Sequence, residues 1–271
     1  MAAMTGNLRP NKALGQHFLS DPSILSRIVS FAGVRQGDNV LEIGPGPGAL
    51  TGTLLEVGAR VIAIETDRRM VAHLRQLYPS VTIIEGDALK IDYLALCKEA
   101  GGPLKLVANL PYNISGPLTA KLLKERRAFT TMTLMYQREV AERIAASPGG
   151  RTRGNLSVMA QAFCSIEMGF TLPPGAFRPP PKVESAVIKF TVLDQPVRPL
   201  TDEALLWRIV STSFQQRRKM LRKTLKRHAE NLDAIFAAAG LIGTERPEEL
   251  SSETWIELVE ALGAGERSDP K

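Results

Sequence analysis

NVLEIGPGPGALTGTLLEVG, residues 39–58, sets an apolar run against three closely spaced glycines and then a helix-favouring stretch. Val40, Leu41 and Ile43 place apolar side chains on both parities, the pattern of a strand buried on both faces. Glycines 44, 46 and 48 follow at once, where absent side chains let the backbone approach a ligand at the start of the next helix. Strand, glycine loop and helix in that order open a βαβ unit, and they predict an α/β fold with a parallel sheet.

The same grammar repeats downstream. RVIAIE (60–65), VTIIEGD (81–87) and LKLVAN (104–109) read as further strands, with helical patterns between them: DRRMVAHLRQLY, with Asp67 as its N-cap, and the weaker DYLALCKEA. Strands alternating with helices imply right-handed crossovers. TMTLMYQ (131–137) reads as a fifth strand and QREVAERIAAS as the helix after it. Beyond the basic, turn-rich SPGGRTRGN, NLSVMAQAF reads as a helix, and CSIEMGFTL and VESAVIKFTVL read as strands flanking PPGAFRPPPK. Two strands without an intervening helix imply an antiparallel edge. DQPVRPLTD marks a boundary, and all that follows reads as helix: residues 201–227 as one segment, then ENLDAIFAAAGL and RPEELSSETWIELVEAL. We expect two domains, 1–194 with an N-terminal arm and lid over 1–20, and 195–271.

Composition narrows the function classes. The 271 residues are 44% hydrophobic and 23% charged, which suits a globular chain of one large or two unequal domains. No run approaches the roughly 20 apolar residues of a membrane span, and MAAMTGNLRPNKALGQHFLSD holds no secretory signal, so a cytoplasmic location away from membranes is expected. Cys97 and Cys164 lie far apart, and His17, His73 and His228 are scattered, so no metal site is expected. The net charge of +6 suggests an anionic partner.

The glycine loop alone leaves the cofactor open, because Gly44, Gly46 and Ala49 also satisfy the loose nicotinamide and flavin pattern. Glu65, about 20 residues on, is placed to accept from two ribose hydroxyls, which is equally shared. Asp87 ends the third strand, where a carboxylate accepts from an adenine amine. Pro45 and Pro47 remove two N–H donors that a pyrophosphate would need. S-adenosylmethionine has no phosphate, and Glu42 beside the loop can help place its amine through water.

NLPYNIS, residues 109–115, sets an amide, a proline and an aromatic ring directly after the LKLVA strand. With EIGPGPGALT, GQHFL and FRPPPKVESAV, these residues carry a resemblance, from about residue 9 to about residue 262, to the small-subunit ribosomal RNA adenine dimethyltransferases, the KsgA family. The resemblance implies that the methyl acceptor is N6 of adenine, a poor nucleophile because its lone pair is delocalised into the ring. For that target the Asn109 side-chain oxygen and the Leu110 carbonyl can accept both N6 hydrogens and favour a tetrahedral nitrogen. Pro111 fixes the turn, and Tyr112 is placed to stack on the base. The resemblance implies a class I (Rossmann-like) methyltransferase domain with a small all-helical C-terminal domain. It implies dimethylation of two adjacent adenosines near the 3′ end of small-subunit rRNA during ribosome biogenesis. It also places His17, Leu19 and Ala88, with Gly44, Gly46, Glu65, Asp87 and Asn109, at the cofactor, and Phe177 over the adenine's second face. Many relatives have Asn where His17 stands.

RRKMLRKTLKR, residues 217–227, holds seven basic residues and no acid on an expected helix with Phe214, Leu221 and Leu225 as its apolar stripe. A single-sign run of this density favours phosphate contact over a merely solvated face. Arg217, Arg218, Lys219 and Arg222, with Lys12, Arg151 and Arg153, are therefore the candidate contacts to rRNA in the assembling 30S subunit, made by a monomer. Two other functions share parts of the pattern: the large-subunit adenine methyltransferases of erythromycin resistance, and a subunit-assembly factor whose methylation is secondary. SFQQRRKML resembles the small-subunit family and not the resistance enzymes.

Overall fold

The computed structural model describes residue 10, residues 15–229 and residues 231–267. The chain divides into two compact units, one of residues 1–141 with 167–192, the other of 142–166 with 193–271. The sequence suggested a single boundary after residue 194; the structure groups 142–166 with the C-terminal residues.

The first unit is built on a seven-stranded mixed sheet. Its parallel strands are β2 (Asn39–Ile43), β3 (Arg60–Glu65), β4 (Thr82–Glu85), β5 (Leu104–Asn109) and β6 (Phe129–Gln137), preceded in the chain by the two-residue strand β1 (Phe18–Leu19). After β7 (Cys164–Leu172) and β8 (Phe177–Arg178), β9 (Ser185–Val192) runs antiparallel to β6. The order is β4-β3-β2-β5-β6-β9-β7. Val40, Leu41, Ala63, Leu106 and Val107 are all 0% exposed, so both parities are buried, as the unbroken apolar runs require.

Helices α1 (Pro22–Ala32), α2 (Ala49–Glu56), α3 (Arg68–Leu77), α4 (Tyr93–Glu99) and α5 (Ser115–Lys124) connect these strands. Asp21 caps α1 through Ser23 N–H at 2.8 Å, and Asp67 caps α3 through Arg69 N–H at 3.0 Å, each satisfying a donor that the first helical turn leaves open. Sequence periodicity missed one feature. β1 and β8 pair antiparallel, Phe18 with Arg178 and Leu19 with Phe177, tying the N-terminal lid to the proline-rich loop. Two residues are too short to show a period.

The chain continues through α6 (Arg138–Ala145) into the second unit, which is helical: α7 (Asn155–Phe163), α8 (Glu203–Gln215), α9 (Leu221–Leu225), α10 (Leu232–Ala238) and α11 (Ser252–Arg267). Trp255, 0% exposed, centres this core with Phe214 at 6.3 Å between ring centroids. The expected single helix over 201–227 is broken after Gln215. Leu221 and Arg222 donate their N–H groups to the Glu245 and Gly243 carbonyls, at 2.8 and 3.0 Å, in place of the carbonyls one turn back. Leu221 and Leu225 are both 0% exposed, so burial of these leucines sets the short α9 on its own axis.

Candidate active site

In the sheet order, β3 and β5 flank β2 on opposite sides, which makes the β2/β5 edge the topological switch point where open α/β sheets bind ligands. A cavity of about 270 Å³ lies there, lined by the lid residues Gly15 to Leu19, the glycine loop, Glu65, Asp87 and the loop from Asn109 to Ile114. Its charged lining is Glu42, Glu65 and Asp87, with neither Lys nor Arg among the lining residues. A lining with carboxyl groups and no cation offers a phosphate no counter-charge and favours a ligand that carries positive charge.

The glycine loop is shaped by what presses on it. Gly48 has φ +91°, and a Cβ there would lie 2.7 Å from both Leu74 and Tyr78; at Gly46, φ +55°, it would lie 3.0 Å from the Phe18 ring. The Tyr78 hydroxyl donates to the Gly48 carbonyl at 3.0 Å. Tyr78 thus clamps the loop from behind while Phe18 of the lid closes on its front, a pairing that sequence pattern did not reveal.

Glu65 is 5% exposed at the end of β3. One carboxylate oxygen accepts from Thr66 N–H at 2.9 Å and Asp67 N–H at 2.8 Å, the other from Gly46 N–H at 3.1 Å. Burial nevertheless outweighs these bonds and raises its pKa. Glu42, 1% exposed, accepts from Thr51 Oγ1 at 2.6 Å. Burial, with added repulsion from Glu65, pushes it up to about 8. Asp87 sits two residues past the end of β4, in the loop and not in the strand, and accepts from Leu89 N–H at 2.9 Å.

Asn109 ends β5, and its Nδ2 donates to the His17 carbonyl at 3.1 Å. With the donor end of the amide held by the lid, its acceptor Oδ1 is the end left for a ligand. Tyr112 shares a 2.6 Å hydrogen bond between its hydroxyl and Ser185 Oγ, and its ring stacks on the His17 imidazole with centroids 5.6 Å apart and planes at 27°. His17 Nδ1–H donates to the Pro179 carbonyl at 2.8 Å, and Gln16 donates to Asp67 at 3.3 Å.

Comparison with known proteins shows the family of the chain. The family model for ribosomal RNA adenine dimethylases matches residues 7–263. The chain belongs to the ribosomal RNA adenine dimethylase family. It is 47% identical to a ribosomal RNA small subunit methyltransferase A of Magnetococcus marinus, covering 93% of this chain and 91% of the relative. It is 44% identical to the protein of that name in Pseudomonas aeruginosa, covering 94% and 95%. Among solved structures it resembles a dimethyladenosine transferase from Plasmodium falciparum, with a TM-score of 0.74, 28% identity and coverage of 92% and 98%. It also resembles the 23S rRNA methyltransferase ErmE, with a TM-score of 0.68, 25% identity and coverage of 91% and 99%. The fold is that of a class I methyltransferase, and S-adenosylmethionine is the family's cofactor.

Of the residues that the dimethylase resemblance implied, His17, Leu19, Gly44, Gly46, Glu65, Asp87, Asn109, Leu110, Pro111 and Tyr112 line the one cavity. Ala88 is 7% exposed, and its carbonyl accepts from the Tyr93 hydroxyl at 2.8 Å. Phe177 is 1% exposed and belongs to a hydrophobic cluster with Leu19, Leu172 and Val187.

The expected RNA contacts separate in the same way. Arg153 is 0% exposed, donating to the Ala146 carbonyl and Gln161 Oε1, both at 2.6 Å, and to Ser252 at 3.3 Å, so it braces the helical unit and cannot meet phosphate. Arg217 is held by the Arg151 carbonyl and Glu248, and Arg222 by Asp233 and the Ile242 carbonyl. Arg218, Lys219, Lys223, Lys226 and Arg227 are exposed, as is Arg151. Lys12 lies outside the described residues. No helix among the described residues is long and apolar enough to cross a membrane.

Proposed function

We infer that this chain transfers methyl groups from S-adenosylmethionine to N6 of two adjacent adenosines near the 3′ end of small-subunit rRNA in the assembling 30S subunit, in the cytoplasm and as a monomer. The observation that carries this is the Asn109 amide, pinned by its donor end to the lid and so presenting its acceptor to a cavity lined by carboxyl groups and no cation. The cofactor fits that lining. Prolines at 45 and 47 withhold the N–H donors a pyrophosphate would need, while Glu65 and Asp87 are acceptors for ribose hydroxyls and an adenine amine.

When bound, S-adenosylmethionine supplies a methyl group already activated by its sulfonium charge. The chain's task is therefore alignment and charge placement. Asn109 Oδ1 and the Leu110 carbonyl accept the two N6 hydrogens, which localises the lone pair and stabilises the positive nitrogen as it gains a fourth bond. Tyr112 holds the base by stacking, and its hydroxyl bond to Ser185 fixes the ring plane. The proton leaves only after transfer, since the amine becomes acidic as it is methylated. The exposed cations Arg218, Lys219, Lys223 and Arg151 contact phosphates.

The likeness to ErmE favours a second reading, a large-subunit target. Identities of 42–47% to proteins named small subunit methyltransferase A, across nearly their whole length, weigh for the small subunit. Mass spectrometry of rRNA from a strain lacking this chain tests the assignment. The expected result is loss of a dimethyladenosine pair from small-subunit rRNA, restored by the wild-type gene; an intact pair overturns it.

A further inference from the structure

We propose that Ser115, Thr119 and Tyr136 are positioning residues for methyl transfer: their hydroxyls form a buried strut that ties the turn from Asn109 to Tyr112 to β6. The strut deepens the adenine-N6 reading above and rests on it, since it takes that turn as the one that meets the methyl-accepting nitrogen.

The strut begins at Ser115, the first residue of α5 and the serine that closes NLPYNIS. The cap residue of that helix, Ile114, has no polar side chain to offer. Ser115 Oγ turns back and donates to the Tyr112 carbonyl at 3.0 Å. One turn on, Thr119 Oγ1 donates to the Ser115 carbonyl at 2.6 Å and lies 2.8 Å from the Tyr136 hydroxyl. Thr119 has one hydroxyl hydrogen and commits it to Ser115, so Tyr136 is the donor at the second contact. The three residues are 6%, 1% and 0% exposed, so each hydroxyl depends on the next and not on water.

A threonine bonded to the carbonyl one turn back is an ordinary feature of helices. Here the bond is extended to a second element and back to the turn. Tyr136 stands in register with Ala186, and the adjacent Gln137 with Ser185, whose Oγ shares the 2.6 Å bond with the Tyr112 hydroxyl. Tyr112 is thus held at both ends from neighbouring rungs of the β6–β9 ladder, its carbonyl through Ser115 and Thr119 and its ring through Ser185. Fixing the Tyr112 carbonyl fixes the chain just past Leu110, whose carbonyl must meet N6 together with the Asn109 amide. Alignment is the chain's main contribution to this reaction, and a displacement of about 1 Å is enough to cost about 100-fold.

Tyr136→Phe and Thr119→Val each remove one hydroxyl while keeping the bulk, Thr119→Ser keeps the hydroxyl, and the double variant Tyr136→Phe/Thr119→Val removes both. The readout is single-turnover methylation of unmethylated 30S subunits at saturating S-adenosylmethionine and subunits, below the melting temperature of every variant. Calorimetry follows cofactor affinity, and filter binding follows subunit affinity. The strut predicts transfer about 5- to 100-fold slower in Tyr136→Phe and Thr119→Val, with both affinities kept. It also predicts a Thr119→Ser rate near wild type and a double variant no slower than the slower single one, because the two hydroxyls act as one unit. A contact that serves stability alone lowers the melting temperature and leaves the rate of the folded protein unchanged. Rates close to wild type in the folded variants, losses that multiply in the double variant, a Thr119→Ser rate as low as that of Thr119→Val, or equal losses of cofactor or subunit affinity would each overturn the strut and leave the adenine-N6 reading standing. Should Thr119→Val not fold, Tyr136→Phe decides by the same criteria. A wild-type chain that methylates no adenine in either subunit would overturn that reading, and the strut with it.

Discussion

Thr51 Oγ1 donates to Glu42 Oε2 across 2.6 Å, and the two side chains are 0% and 1% exposed. That single bond does not repay the carboxylate's lost hydration, and Glu65 adds repulsion, so Glu42 is pushed from its usual 4.5 up to about 8.

A raised folded-state pKa fixes the sign of a pH effect. Between the unfolded value of 4.5 and the folded value of about 8, the folded chain holds a proton that the unfolded chain has released. This stability is full below the lower value and is lost as pH rises through the upper one. Melting temperatures of the ligand-free protein should therefore fall across that window, and Glu42→Gln should flatten the fall. A cationic ligand favours the ionised carboxylate, so S-adenosylmethionine binding at neutral pH should release a proton. Calorimetric enthalpies that vary with the buffer's ionisation heat in wild type, and cease to vary in Glu42→Gln, are the expected signature.

Tyr78 and the glycine loop give a second test. Tyr78→Phe removes only the bond to the Gly48 carbonyl and should cost about 0.5–1.5 kcal/mol of stability. Gly48→Ala must hold an L side chain at φ +91° and seat a Cβ 2.7 Å from Leu74 and Tyr78. It should cost at least about 1–2 kcal/mol and weaken cofactor binding far more than Tyr78→Phe does. Thermal melting and calorimetry on the same preparations check both.

The cations of the helical unit should divide by burial. Neutralising exposed Arg218, Lys219 and Lys223 should weaken RNA binding and flatten its log–log salt dependence by roughly 0.7–0.9 for each phosphate no longer neutralised, with cofactor affinity kept. Arg153→Met should leave the salt slope unchanged while lowering the melting temperature. It strands the buried Gln161 Oε1, at about 1–3 kcal/mol, while the Ala146 carbonyl keeps its bond from Gln161 Nε2 and Ser252 its bond to the Val158 carbonyl.

Much of the first unit was legible because its signals are local. Runs apolar on both parities marked β2, β3, β4 and β5, glycines 44, 46 and 48 marked the turn after β2, and Asp67 marked the start of α3. What failed to show depends on distant partners. The pairing of β1 with β8 spans two residues on each side and is specified by neighbours about 160 positions away. Arg153 reads as a surface cation in a basic loop, and only the acceptors supplied by Ala146, Gln161 and Ser252 bury it. The break after Gln215 exists because carbonyls at 243 and 245 compete for the amides of Leu221 and Arg222. The tyrosine in NLPY was readable as a stacking ring, but the histidine it packs against stands 95 residues earlier in the chain.

The most direct test of the whole account is methyl transfer by the purified chain, wild type and Asn109→Ala, with methyl-labelled S-adenosylmethionine and unmethylated 30S and 50S subunits under single-turnover conditions. Digestion of the rRNA and separation of its nucleosides then show where the label lies. The account predicts label in N6,N6-dimethyladenosine from small-subunit rRNA, with transfer by Asn109→Ala slower by about 100- to 1000-fold, the usual cost of removing one preorganised contact to developing charge. Label in large-subunit rRNA, label on another base, or an Asn109→Ala rate close to wild type would contradict it.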